Sequence, residues 1–143
     1  MKINPYICLP GTAKEALKLY SAVFKTEPDE ISYFKDVPAD AGMTYSDEAK
    51  DRVMHASIKV GNNLFMISDA PEGQDGTVIN GTNVQVSVHP DSKEEADRIF
   101  TLLTQDGGEA VMPMADAFWG DYFGMAKDRF GVSWMVNYSK DYQ

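Results

Sequence analysis

Only three side chains in this 143-residue chain carry an imidazole or a thiol: His55, His89 and Cys8. His55 lies in a stretch, 53–60, where Met54, Ala56, Ile58 and Val60 alternate with His55, Ser57 and Lys59. An imidazole titrates near neutral pH and could serve there as a general base. The commoner outcome for such a group is a hydrogen-bonded structural role. His89 precedes Pro90 at the start of a helical pattern, and X-Pro geometry predicts a loop residue. Cys8 shares a parity with Tyr6 and Asn4; a reactive thiolate needs a nearby positive charge, and Lys59 is the one basic residue of matching parity, so an inert thiol is expected. The run Phe118-Trp119-Gly120-Asp121-Tyr122-Phe123 places four large aromatics in six residues. They could close over a flat apolar ligand or fill a core or dimer contact. Trp119 and Tyr122 are three apart across Gly120, so a local irregularity could bring both to one side. Eight methionines suit an adaptable apolar lining as well as ordinary packing.

The elements that must position these groups occur twice. Residues 1–69 read as strand, helix, strand, strand, strand; residues 83–138 read the same way, with 70–82 as a linker and 139–143 as a tail. Thr12-Ala13-Lys14-Glu15 and Ser92-Lys93-Glu94-Glu95 each predict a capping box. Past them, Ala16, Tyr20 and Val23 share a helical phase with Ala96, Phe100 and Leu103. Such a repeat predicts two pseudo-equivalent half-units, with a binding site on the surface they share.

The strands alternate, which marks sheets with two different faces. Ile3, Ile7 and Leu9 oppose Asn4, Tyr6 and Cys8; Phe65 and Ile67 oppose Leu64, Met66 and Ser68. Val84, Val86 and Val88 oppose Asn83, Gln85 and Ser87, while Trp134 and Val136 oppose Ser133, Met135 and Asn137. The apolar parity should pack beneath the helices. The other parity mixes Tyr, Cys, His, Ser, Met, Gln and Asn, which is the composition of a pocket wall. Gly61-Asn62-Asn63 and Asp128-Arg129-Phe130-Gly131 predict hairpin turns, and Gly107-Gly108 a helix C-cap. Residues 36–51 predict a mobile loop or a short helical excursion.

Composition narrows the function classes. A single cysteine excludes an intrachain disulfide and suits a reducing, cytoplasmic compartment. No apolar run approaches the roughly 20 residues of a membrane span, and no signal peptide is expected. A net charge of −9 repels phosphate backbones, so no nucleic-acid partner is expected. No G-x-G-x-x-G occurs, which argues against a Rossmann-type S-adenosylmethionine site.

The chain resembles the vicinal oxygen chelate superfamily, which includes glyoxalase I, extradiol dioxygenases and antibiotic-resistance proteins. The local strings narrow this to its PhnB-like (3-demethylubiquinone methyltransferase-like) branch. They are Asn4-Pro5-Tyr6, Glu15-Ala16-Leu17 with Tyr20, Met54-His55-Ala56, Ser68-Asp69-Ala70, Phe118-Trp119-Gly120, Phe123-Gly124-Met125 and the run Asp128 to Trp134. The resemblance implies an α+β fold of two tandem β-α-β-β-β modules. They form a cupped, mostly antiparallel sheet with helices on its outer face, in a single domain over 1–143. Carried over by position, the metal-ligand slots of the metal-dependent members fall near Asn4 or Pro5, Met66, Asn83 or Gln85, and Met135. None is His, Asp or Glu, and divalent transition metals need such donors or a thiolate, so no metal or other cofactor is expected. The expected protein is a metal-free homodimer. It would bind a small apolar or aromatic molecule through Tyr6, His55, Ser57, Met66, Gln85, Trp119, Tyr122 and Met135. The alternative is a lyase or dioxygenase-type enzyme using a metal held elsewhere or His55 as base.

Overall fold

The computed structural model describes residues 1–42 and 44–142. The chain divides into two compact units, Met1–Ile79 and Asn80–Gln143. In the first, β1 (Tyr6–Leu9) leads to α1 (Ala13–Phe24), the two-residue β2 (Ser32–Tyr33), the short α2 (Asp47–Lys50), β3 (Val53–Val60) and β4 (Asn63–Asp69). In the second, β5 (Val86–Val88) leads to α3 (Lys93–Thr104), β6 (Glu109–Asp116), β7 (Tyr122–Lys127) and β8 (Ser133–Tyr138). The sheets have the orders β1-β4-β3-β2 and β5-β8-β7-β6, the same arrangement in both units. In each, the first strand runs parallel to the last and the other pairs are antiparallel. This is an α+β fold of two like modules.

Each helix covers one face of its own sheet, and the period-2 pattern decides which. Ala16, Tyr20 and Val23 of α1 are buried over Ala56, Ile58, Phe65 and Ile67. The Tyr20 and Phe65 rings meet edge-on with centroids 4.9 Å apart. In the second unit Ala96, Ile99 and Leu103 of α3 are buried, as are Ala126, Trp134 and Val136 of the sheet. Phe100 and Val86 are half-buried.

The ends of the elements differ from the sequence reading, each for a local reason. The Thr12 hydroxyl makes no capping bond. The Ala13 N–H donates instead to Asp69 Oδ1 at 2.8 Å, and Asp69 Oδ2 accepts from Val53 N–H at 2.9 Å. A buried carboxylate at the end of β4 thus takes over the cap, and negative charge at a helix N-terminus is favoured by the macrodipole. Ser92 does cap α3, accepting from Glu95 N–H at 3.1 Å, while the Glu95 carboxylate pairs with Arg98. Helix α3 ends at Thr104 with an extended Gln105, and Asp106 and Gly107 take φ of 53° and 103°. The expected Gly107-Gly108 C-cap is therefore a tight turn beyond the helix, closed by Gly108 N–H to Gln105 O at 3.1 Å. A side chain at Gly108 would meet Leu103 O at 2.2 Å.

Two alternations break. Met54 is exposed although its parity is apolar, because Ser32 pairs with His55 and Tyr33 with Val53. Met54 is the extra residue of a β-bulge, and a one-residue insertion exchanges the faces on either side. Val84 is 76% exposed, since β5 pairs with β8 only from Val86. Ile3 is likewise exposed and precedes β1. In the 36–51 segment, of which residue 43 lies outside the described residues, a 3₁₀ turn over Phe34–Asp36 ends, a second spans Ala39–Ala41, and α2 follows. Both predicted hairpins form: Val60 pairs with Asn63 around Gly61 at φ 57°, and Asp128 N–H reaches Val132 O at 2.9 Å around Gly131 at φ 86°.

Candidate functional site

The chemistry lies on the face of each sheet turned away from its helix. In the first unit the register sets Cys8, Ser68, His55 and Ser32 side by side on four strands. The next row along holds Tyr6, Met66 and Ser57. The Tyr6 hydroxyl lies 3.4 Å from His55 Nδ1, with the two rings 5.8 Å apart and tilted by 32°. The phenol can donate to a bare Nδ1 or accept from a protonated one, so the tautomer sets the direction of the contact. Tyr6 is half-exposed and His55 intermediate, so the pair is reachable. Four of the expected site residues, Tyr6, His55, Ser57 and Met66, therefore share one face. Cys8 is exposed there as well.

In the second unit one row crosses all four strands as Ser87, Met135, Met125 and Met112. The next row holds Asn137, Phe123 and Ala115. Three thioethers from adjacent strands make an apolar, deformable floor. Trp119 stands on the Ala117–Asp121 turn, where Gly120 takes φ 101°. Its ring packs edge-on against Phe123 at 5.8 Å and against the fully exposed Phe118 at 5.0 Å. Gln85 sits immediately before β5 and is half-buried.

Tyr122 does not join this group. Strand parity puts it with Gly124 and the buried Ala126, on the α3 side. Its hydroxyl donates to Asp97 Oδ1 at 2.7 Å and Lys93 Nζ lies 4.9 Å above its ring. The Asp97 carboxylate beside it raises the phenol above its ordinary pKa. The expected pairing of Trp119 with Tyr122 is thus corrected to Trp119 with Phe123. The two residues are separated by the start of β7, and its alternation sends 122 and 123 to opposite faces.

Asn137 lies on this face as its parity requires, and two polar groups not anticipated there, His89 and Asp121, join it. His89 follows β5 as a loop residue, but its Nε2 lies 3.1 Å from Ser87 Oγ. Asn137 Nδ2 donates to Asp121 Oδ2 at 2.9 Å. The Asp121 carboxyl is held below the ordinary range by that bond first, then by hydrogen bonds from Ser139 and Trp119 and by the nearby His89. The sequence signal was the i, i+2 spacing of Ser87 and His89, which a strand places on one side.

The carried-over metal positions do not suit a divalent transition metal. The Asn4 side chain accepts from Leu64 N–H at 3.0 Å, and Met66, Gln85 and Met135 offer two thioethers and an amide. Among the described residues no three His, Cys, Asp or Glu side chains converge.

Two like modules, each with a helix on one side of a four-stranded sheet and a mixed face on the other, define a glyoxalase-fold protein. The profile of the family described as 3-demethylubiquinone-9 3-methyltransferase matches residues 1–137. The chain belongs to this family. It is 34% identical to protein PA1353 of Pseudomonas aeruginosa, with a TM-score of 0.80 over 97% of this chain and 98% of that one. A PhnB protein from Bacillus cereus is 25% identical, with a TM-score of 0.71 over 97% and 100%. Protein YjdN of Escherichia coli K12 is 27% identical over 98% of this chain and 97% of its own. A glyoxalase/bleomycin resistance protein/dioxygenase family enzyme from Burkholderia phytofirmans, at 11% identity and a TM-score of 0.62 over 93% and 94%, shares the fold.

Proposed function

We propose that this protein binds a small apolar or aromatic molecule without a metal. The observation that carries the reading is the row Met112, Met125 and Met135 beside Phe123 and Trp119. It is a thioether and aromatic surface flanked by a few polar groups, which is how small-molecule sites are composed. Met66 between Tyr6 and Ser57 repeats that composition in the first unit, with His55 as its polar neighbour. Thermal-shift screening of flat aromatic compounds tests it, since a ligand that binds only the folded chain raises its apparent stability. Trp119→Ala should then weaken binding of any hit about ten-fold or more, because buried aromatic area and edge contacts together exceed one neutral hydrogen bond. His55→Ala should weaken it less, and the reverse order in a titration would overturn the assignment.

The Tyr6–His55 contact supports a second reading, acid-base catalysis by His55. If His55→Ala abolishes a turnover while ligand binding persists, that reading replaces the first. We also propose that this protein is not an S-adenosylmethionine-dependent methyltransferase. The parallel partner of β1 is β4, reached only after two intervening strands, which is not the βαβ unit of a Rossmann cofactor site.

We further propose a homodimer in a reducing, cytoplasmic compartment, with no nucleic-acid partner. Strand β6 is an edge of its sheet and exposes Val111 and Met112, and such edges invite a covering partner. The exposed Cys8 thiol and the charge of −9 support the other two points. Among the described residues no helix is long and apolar enough to cross a membrane. Sedimentation at micromolar concentration should give twice 15.9 kDa; a species of 15.9 kDa alone would refute the dimer.

A further inference from the structure

We propose that the second unit's sheet selects aromatic molecules that carry a hydrogen-bond donor, a phenol or an aromatic amine, and that Asn137 Oδ1 receives the donor. The inference rests on the binding reading above and narrows it to a ligand class. The argument begins with the polarity of one amide. Asp121 is a carboxylate, so it can only accept, and the 2.9 Å bond therefore comes from Asn137 Nδ2. That fixes the other end of the amide: Oδ1 points away from Asp121. It is buried and has no hydrogen-bond partner. Buried acceptors are almost always satisfied, so one that is not marks a position for a donor.

The surroundings say what kind of molecule brings the donor. Asn137 pairs with Phe123 across the ladder and lies two residues along β8 from Met135, on the same face. An aromatic body lying on the Met112–Met125–Met135 row thus ends beside the amide. Ser87 Oγ and His89 Nε2, 3.1 Å apart, flank the β5 side and can hydrogen-bond a polar substituent in either direction. The donors around Asp121 keep it ionised, and its negative charge disfavours a carboxylate or phosphate head. The oxygen itself is buried. The Trp119 ring packs on Phe123, which pairs with Asn137 across the ladder, so the turn that carries the indole borders the amide. Trp119 is 54% exposed on a five-residue turn with Gly120 at φ 101°, and a swing of that turn gives access.

The test is a matched pair of probes, 2-naphthol and 2-methoxynaphthalene, titrated against the full chain by Trp fluorescence and calorimetry. They share the ring system and the oxygen and differ in the donor. The naphthol should bind about ten-fold more tightly, the penalty for leaving a buried acceptor unpaired. In Asn137→Leu that preference should vanish. In Asp121→Asn, which frees the amide to turn over, it should shrink, and this second variant guards against a folding defect in the first. Equal affinities for the two probes in the natural chain would overturn the Asn137 subsite while leaving the binding reading intact. Binding of neither probe up to its solubility would overturn that reading, and the subsite with it.

Discussion

Replacing Asp128 by alanine should cost about 3–5 kcal/mol of folding stability in denaturant unfolding, although the residue stands in a turn and takes part in no proposed binding. Asp128 is 3% exposed. Its Oδ1 accepts from Phe130 N–H at 2.9 Å and Val132 N–H at 3.1 Å, and its Oδ2 from Trp134 Nε1–H at 2.8 Å. One carboxylate therefore closes the β7–β8 turn and ties it to the core. Truncation orphans three donors. Water can reach those of the half-buried Phe130 and Val132, but not that of the fully buried Trp134. An orphaned buried donor costs about 1–3 kcal/mol, and the partly wet ones less, which sets the range. Asp128→Asn should recover little, because its amide nitrogen must face one of the donors. A loss below about 1 kcal/mol for the alanine variant would show that the turn holds without its carboxylate.

Asp128 also marks where the sequence was readable and where it was not. The string Asp128 to Trp134 announced a turn and a strand, and both are there. What joins them is a side-chain bond that no periodicity reports. Asp69 is the same case at longer range: it caps α1 from 56 residues away, and the apparently sufficient Thr12-x-x-Glu15 box goes unused. Local capping signals lose to a buried carboxylate, because burying that charge requires its oxygens to be satisfied.

The faces were legible wherever a strand kept its register. Phe65, Ile67, Trp134 and Val136 are buried as their alternation required, and Met66 and Met135 face the other way. Met54 was not legible, since its bulge depends on pairing with the two-residue β2. The site shows the same split. Met135 and Asn137 could be placed by parity alone. Met125 and Met112 join them as a surface only once β6, β7 and β8 are set side by side, and an irregular register in β6 hides Met112 from any period-2 pattern. Tyr122 was misassigned because a glycine break was expected to override alternation, whereas β7 begins at Tyr122 itself.

The second large effect is expected at Trp134. It has no exposed surface, lies between Val86 and Ala126 on its neighbouring strands, and shares the second unit's core with Ala96, Ile99 and Leu103 of α3. Trp134→Ala should cost about 3–5 kcal/mol, the range for deleting a buried aromatic side chain. Trp134→Phe separates the causes. It keeps most of the ring contact but removes the Nε1–H that Asp128 Oδ2 accepts, leaving half of a buried carboxylate unsatisfied. A loss of about 1–3 kcal/mol should remain, the cost of one unmet buried polar group. Residues that share one bond do not act independently. Trp134→Phe and Asp128→Ala should therefore be less than additive when combined, because the second substitution removes a partner the first has already lost. Strict additivity would mean that the indole is held by packing alone and that the turn carboxylate serves only the backbone.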